Sequence, residues 1–357
     1  MSQLALKNLS KSFGAYRVFD GLNLAAEAGE IVVIFGGSGT GKTILLRLIA
    51  GVEEPSSGVI ELEGRDAADV APEHRHVGMA FQNFALFPHM SAAENIASPL
   101  RAAKASEDKV SAGIARVAKL LKIDHVLGHA PRELSNGQKQ RTALARALAA
   151  EPRILLLDDP LRNVDAKLRF EMRLELPRLL RQSGATVLYV TQDYKEAMAL
   201  ADRIAVLAGG SFVQVGTPEE IYMAPATLGV ARLFGDPAIN TTEARVSDDG
   251  THVMIGSARV ALGGGHQAAA GNAVTFGVRP EAVSLGGKGG LKADVVAVTP
   301  LNERVVLLLK SAEGWEFLAS LPSSAAKIPD SGAQVSASFE ASGVHLFDSA
   351  TGESLHG

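Results

Sequence analysis

The chain has 357 residues, too many for one ordinary domain and suited to two. Hydrophobic residues make up 46% and charged residues 21%, which excludes a disordered chain. A net charge of −4, a pI near 6.2 and the absence of cysteine exclude disulfides and thiolate chemistry and argue against nucleic acid as a main partner.

The N-terminal residues Met1-Ser2-Gln3-Leu4-Ala5-Leu6-Lys7 lack the long apolar core of a signal peptide. No stretch reaches the ~18 uninterrupted apolar residues needed to span a bilayer, so any membrane role is expected through a partner. Near the start, Phe13 and Tyr16 are candidate aromatic residues, as binding platforms or as plain core. The run Ile31-Val32-Val33-Ile34-Phe35 reads as a buried parallel strand. It feeds Gly36-Gly37-Ser38-Gly39-Thr40-Gly41-Lys42-Thr43, which fits the phosphate-loop pattern G-x-x-x-x-G-K-[ST], and residues 44–50 continue as a helix. Glycine lets backbone N–H groups approach phosphate oxygens, and the helix N-terminus adds partial positive charge. Lys42 would hold the β- and γ-phosphates of a nucleotide as a point charge, and Thr43 would ligate Mg²⁺ through its hydroxyl; alone the loop says only nucleotide binding. A chance glycine turn is the bland alternative, which the strand before and helix after argue against.

Residues 77–89, Val-Gly-Met-Ala-Phe-Gln-Asn-Phe-Ala-Leu-Phe-Pro-His, place Gln82 among Phe81, Phe84 and Phe87. From about 91 to 150 the chain is rich in Ala, Leu, Lys and Arg with helical period. Within that stretch Leu134-Ser135-Asn136-Gly137-Gln138 precedes an Ala/Leu/Arg helix, and Ser135 is a natural N-cap. Ile154-Leu155-Leu156-Leu157 is a second buried strand, ending in Asp158 and Asp159. Asp158 is either a metal-site carboxylate or a helix cap, and the phosphate loop upstream favours the metal. Residues 186–190 form a third buried strand before Thr191-Gln192-Asp193. Beyond about 240 the pattern turns to short β-like runs, at 274–278, 305–309 and 335–339, suggesting a small barrel or sandwich. The boundary is placed near Gly235-Asp236-Pro237, giving domains 1–235 and 236–357. No internal repeat or low-complexity tract is evident.

Together these motifs resemble the nucleotide-binding subunit of an ABC transporter, over nearly the whole chain. Within that family the chain is similar to the ATPases of maltose-type carbohydrate importers. Gly277-Val278-Arg279-Pro280-Glu281, Thr299-Pro300-Leu301-Asn302-Glu303 and Val344-His345-Leu346-Phe347-Asp348 resemble that subgroup's C-terminal regulatory domain. The implied fold is α/β: a P-loop ABC ATPase domain with a helical subdomain, then a small all-β OB-like domain of the TOBE type. The resemblance implies that Ser135, Asn136, Gly137 and Gln138 bind the γ-phosphate held by the opposite subunit. It implies that Gln82 touches Mg²⁺ or the attacking water, that Asp158 serves the metal, and that Phe13 stacks on adenine, with Tyr16 as the alternative. Some of Phe81, Phe84 and Phe87 are expected to line a groove for a helix of a membrane subunit. Two integral-membrane permease subunits and, indirectly, a periplasmic or extracellular solute-binding protein follow as partners. A peripheral place on the cytoplasmic face of the membrane follows too.

Four positions depart from the family pattern. The family has Glu where Asp159 stands, His where Gln192 stands, Ser where Arg162 stands and Gly where Asn136 stands. Asp159 keeps the charge on an arm one methylene shorter. Gln192 can donate a hydrogen bond but cannot carry a proton. Asn136 is expected to be tolerated because Asn accepts left-handed backbone. The changes at 159, 162 and 192 together read as a site that binds ATP and hydrolyses it weakly, paired with a different, more orthodox ATP-binding subunit. A homodimeric importer ATPase and a regulatory ATP-binding protein are the alternatives. Soluble ABC ATPases that act on DNA or ribosomes are disfavoured: the chain has neither a long coiled-coil insertion nor a second ATPase domain. The solute class implied is a sugar, a polyol such as glycerol, or a related glycerol compound.

Overall fold

The computed structural model describes residues 2–256, 258–262, 269–286, 290–325 and 327–355. They divide into two compact units, Met1–Pro218 and Glu219–Gly357.

In the first unit, β1 (Ser2–Phe13) and β2 (Tyr16–Glu27) pair as an antiparallel hairpin. β3 (Ile31–Phe35), every residue buried, leads into α1 (Lys42–Ala50). β4 (Ser57–Leu62) and β5 (Arg65–Asp66) complete a four-stranded sheet of order β2-β1-β4-β5. β6 (Val77–Ala80) is followed by three helices, α2 (Ala92–Ala102), α3 (Glu107–Leu121) and α4 (Asn136–Ala149). Then come β7 (Ile154–Asp158), α5 (Ala166–Ser183), β8 (Thr186–Thr191), α6 (Tyr194–Leu200), β9 (Arg203–Ala208) and β10 (Ser211–Gly216).

A six-stranded sheet of order β10-β9-β3-β8-β7-β6 is the frame of this unit. Its pairs from β9 to β6 are parallel, and β10 is an antiparallel edge. β3, β7 and β8 are buried along their whole length, which is why their sequences read as unbroken apolar runs. Phe35 pairs with Thr191 and Asp158 with Val190. The carboxyl ends of β3, β7 and β8 therefore stop at one edge, where open parallel sheets bind their ligands.

In the second unit, α7 (Pro218–Met223) and α8 (Leu228–Leu233) precede β11 (Asn240–Val246), β12 (His252–Ile255), β13 (Ala258–Ala261) and β14 (Ala273–Val278). β15 (Val283–Leu285), β16 (Leu291–Leu301), β17 (Arg304–Ser311), β18 (Glu316–Pro322), β19 (Gln334–Phe339) and β20 (Val344–Asp348) follow. They form two five-stranded antiparallel sheets, β13-β12-β11-β14-β20 and β15-β19-β16-β17-β18. Phe276, Leu307, Phe317 and Leu346 fill the core between them, and Trp315 stacks on Phe317 at 4.4 Å. The contact boundary lies before the one read from the sequence near Gly235. The cause is Arg279, buried at 2% exposure, which donates to the carbonyls of Tyr222 (2.9 Å), Ala231 (3.0 Å) and Phe234. These bonds bind α7 and α8 to the β-unit.

Leu156 sits in the centre of β7 with no exposed surface. Leu156→Ala is expected to destabilise the first unit by about 2–5 kcal/mol, measured as a lower urea midpoint of the helical circular-dichroism signal.

Candidate nucleotide site

The phosphate loop runs from the end of β3 to the start of α1. Gly36 is forced by packing: a Cβ there would lie 2.6 Å from the Leu207 carbonyl oxygen. Gly41 has φ 93°, and its Cβ would lie 2.6–2.9 Å from atoms of Val18 and Phe19. Residues 37–39 are exposed, with open space where Cβ atoms of Gly37 and Gly39 would be. No side chain caps the first turn of α1, because Gly41 occupies the N-cap. The result is a concave run of backbone N–H groups at a helix N-terminus, which fits a phosphate chain.

Lys42 is buried, and its ammonium donates to the carbonyls of Gly36 (2.8 Å) and Gly37 (2.6 Å). Burial pushes its pKa down, while the carboxylates of Asp159 and Asp158 pull it back up. Thr43 Oγ1 donates to Asp158 Oδ1 at 3.0 Å. A hydroxyl and a carboxylate at the loop's mouth form an oxygen donor set suited to Mg²⁺. Asp158 and Asp159 are each raised by burial. For Asp158 the Thr43 hydrogen bond opposes this, and for Asp159 the charge of Arg162 does.

Asp159 turns out of β7 in left-handed backbone, φ 45°, with its N–H on the Val190 carbonyl at 2.9 Å. Its carboxylate accepts from Gln192 Nε2 at 3.4 Å and lies 3.7 Å from Arg162 Nη1. Arg162 therefore reaches back to its own chain's acid. The structure brings together Lys42, Thr43, Asp158, Asp159, Arg162 and Gln192, as the sheet register requires.

Gln82 is half-buried, and its carbonyl accepts from Asn163 Nδ2 at 2.9 Å. The following turn puts Phe84 and Ala85 in left-handed backbone, φ 62° and 46°. Arg146 of α4 holds that turn by donating to the Ala85 (2.6 Å) and Phe84 (3.1 Å) carbonyls. Asn95, fully buried, bonds Phe87 N (2.8 Å), Phe87 O and Met90 O (both 3.1 Å). Beside this loop lies a groove of about 1190 Å³ lined by Met79, Phe81, Phe87, Pro99, Leu100 and Lys104. Phe81 and Phe87 thus face it, while Phe84 is not among its lining residues.

Ser135 caps α4 as expected. Its hydroxyl accepts from Gln138 N (3.3 Å), and Gln138 Oε1 accepts from Ser135 N (2.9 Å). Gln138 is thereby engaged in a capping box. Asn136 opens α4 in right-handed helical backbone, so the expectation that Asn is tolerated there for left-handed geometry is corrected. At Gly137 a Cβ would fall 2.3 Å from a Leu168 methyl, so a larger residue there would require the half-buried Leu168 side chain to shift. Phe13 is 46% and Tyr16 67% exposed, which excludes the core alternative for both. Lys11 Nζ lies 4.6 Å from the Phe13 ring centroid.

Glu196 is a buried acid that the sequence reading did not single out. It is 1% exposed on α6, accepting from Tyr189 Oη (2.8 Å) and Thr191 Oγ1 (2.9 Å). Asp193-x-x-Glu196 reads as an ordinary helix-capping pattern, which masks the inward turn of the side chain. Burial pushes the Glu196 carboxyl up to about 7, against its two hydroxyl donors.

The fold and this edge define a phosphate-loop nucleotide-binding protein with a second, capped loop at the start of α4. The family profile for "ABC transporter" matches residues 19–162, "MalK OB fold domain" matches 235–283 and "TOBE domain" matches 276–347. The chain is 40% identical to the sn-glycerol-3-phosphate import ATP-binding protein UgpC of Cereibacter sphaeroides, covering 99% of this chain and 100% of that one. It is 39% identical to the protein of the same name from Chromobacterium violaceum, over 98% and 95% of the two chains. The corresponding protein of Escherichia coli K12 is 42% identical over 80% and 81%. Among solved structures, cbiO1 from Clostridium perfringens, part of the ABC transporter complex cbiONQ, aligns with TM-score 0.57 and 26% identity, over 62% of this chain and 90% of that one. The chain belongs to the ABC transporter family, among its ATP-binding subunits that carry MalK-type OB and TOBE domains.

A buried carboxyl raised from 4.5 to about 7 keeps its proton longer in the folded chain than in the unfolded one. Stability therefore falls as pH rises from about 4.5 to about 7, with the full cost above 7. Glu196→Gln is expected to gain melting temperature relative to wild type between pH 5 and pH 8, equivalent to on the order of 3 kcal/mol at most. A difference between the two proteins that stays constant over that range would contradict this assignment.

Proposed function

We propose that the chain is the ATP-binding subunit of an importer for a sugar, a polyol such as glycerol, or a related glycerol compound, and that its own site holds ATP and hydrolyses it slowly. The relatives' name, sn-glycerol-3-phosphate import, supports the solute class. The observation that carries the slow site is Asp159, a short acid already in contact with Gln192 and Arg162.

ATP is the substrate. Gly36, Gly37, Ser38, Gly39, Thr40 and Gly41 offer backbone to its phosphates, and Lys42 neutralises their charge. Thr43, Asp158 and Gln82 would hold Mg²⁺. Bound there, Mg²⁺ supplies charge neutralisation on the phosphate oxygens. Asp159 orients the attacking water and accepts its proton. Its shorter arm sets that oxygen back, and a displacement of about 1 Å at a reacting centre can cost ~100-fold in rate. Arg162 competes for the same carboxylate oxygen. Gln192 donates a hydrogen bond toward the terminal phosphate but brings no positive charge. Phe13 stacks on adenine from its exposed position.

A different ATP-binding subunit is the partner this reading favours. Ser135, Asn136, Gly137 and Gln138 would then face the partner's phosphate loop, and hydrolysis would run there. The groove beside Gln82, apolar at Phe81 and Phe87, supports docking of a helix from each of two permease subunits on the cytoplasmic face of the membrane. Among the described residues no helix is long and apolar enough to cross a membrane. A solute-binding protein outside the membrane completes the importer.

Purified chain is expected to bind Mg-ATP tightly and turn it over very slowly. Brisk turnover by the chain alone would favour a homodimer instead. Asp159→Glu combined with Gln192→His is expected to raise turnover at this site by at least ~10-fold, since it restores both reach and charge. No rise, alone or assembled, would sink the claim that these residues limit the rate. Arg162→Ser is expected to add a smaller gain by freeing the carboxylate.

A further inference from the structure

We infer that Glu196 is a positioning residue for hydrolysis: it fixes the turn 191–193 and, through it, the reach of Gln192 toward the terminal phosphate. The inference rests on the proposed roles of Asp159 and Gln192.

The geometry is a chain of hydrogen bonds behind the site. One carboxylate oxygen of Glu196 accepts from both Tyr189 Oη (2.8 Å) and Thr191 Oγ1 (2.9 Å). The Thr191 oxygen in turn accepts from Asp193 N at 3.0 Å. The oxygen atoms thus grip the backbone on either side of Gln192. Asp193 is held as well: Oδ1 caps α6 through Lys195 N (2.8 Å) and Glu196 N (3.4 Å), and Oδ2 meets Arg173 Nη2 at 3.4 Å. Thr191, Tyr189 and Glu196 are all buried, so losing one partner would leave a buried hydroxyl without its hydrogen bond. Gln192 lies at the surface end of it, exposed, with only a 3.4 Å contact to Asp159. A side chain that loosely tied relies on its backbone for position. Burying a carboxylate to hold two hydroxyls is a costly way to stabilise a helix start that Asp193 already caps. Its placement makes sense as a fixed floor for the residue that touches the reaction.

Two readouts test this on the full chain. Amide hydrogen exchange reports the turn whatever the chemistry. Glu196→Ala is expected to speed exchange at Gln192 and Asp193 by at least ~10-fold while leaving β3 and β7 unchanged. Turnover in an Asp159→Glu background reports the chemistry. There Glu196→Ala is expected to lower kcat about tenfold with KM for ATP unchanged, and Glu196→Gln, which keeps an acceptor oxygen in place, to recover most of the loss. In a Gln192→Ala background the same substitution should cost nothing further, because both act through the Gln192 side chain. Unchanged exchange at 192–193, faster exchange spread evenly over β3, β7 and β8, or independent multiplication of the Glu196 and Gln192 effects would each overturn the inference. If Asp159→Glu fails to raise turnover, the proposed function fails, and the exchange result still decides whether Glu196 holds the turn.

Discussion

The in-register parallel pairing of β3, β8 and β7 is the constraint on which the site depends. Phe35 lies opposite Thr191, and Val190 lies opposite Asp158. That register stops all three strands at one edge, so the ends of the strands and the segments that leave them enter the same small space. Lys42 and Thr43 follow β3, Asp158 and Asp159 end β7, and Gln192 follows β8. They are scattered in sequence and meet only because the strands cannot slip. Slippage by one residue would expose a fully buried strand's side chains to the wrong neighbours across the sheet. Each large side chain of these strands contributes about 1.5–3 kcal/mol by burial, and the register is fixed by many of them at once.

Burial then tunes the chemistry at that edge. It lowers Lys42 and raises Asp158, Asp159 and Glu196, in every case by disfavouring charge in a dry place. The charges compensate one another in part: Lys42 sits among two aspartates, and Arg162 faces Asp159. A loop built this way favours an anionic chain such as a nucleotide's phosphates. Arg162 adds a cation to the same space but directs it at Asp159. Positive charge helps hold phosphates, and the Asp159 carboxylate is itself engaged by the Arg162 guanidinium and the Gln192 amide.

Legibility in the sequence followed the type of signal. Unbroken apolar runs announced β3, β7 and β8, and glycine spacing announced the loop between β3 and α1. These are local patterns with one physical cause each. Short runs at 274–278, 305–309 and 335–339 announced β14, β17 and β19 for the same reason. Asn136 was misjudged because residue type suggested left-handed backbone, whereas helix α4 simply begins there. Gln138 carried a motif meaning and a capping meaning, and the structure engages it in the cap. The sequence gives no sign that Arg279 gathers α7 and α8 onto the β-unit, since that depends on carbonyls far along the chain. Glu196 was hidden because Asp-x-x-Glu at a helix start already has a sufficient local explanation. Interactions between distant elements that satisfy buried polar atoms leave little trace in local pattern.

The same bonds that shape the nucleotide edge also reach the groove. Asn163 donates to the Gln82 carbonyl, and Arg162 beside it meets Asp159. Gln82 begins the turn that Arg146 and Asn95 hold in place next to Phe81 and Phe87. A helix pressed into the groove would push on backbone that carries Gln82, and through Asn163 on the segment that carries Arg162. Two contiguous residues thus link the groove to the acid. Left-handed backbone at Phe84 and Ala85 stores strain on the order of 1–3 kcal/mol per residue, held by the two Arg146 hydrogen bonds. The groove thus adjoins the backbone that carries Gln82, while Lys42, Thr43 and Asp158 are anchored at the ends of β3 and β7.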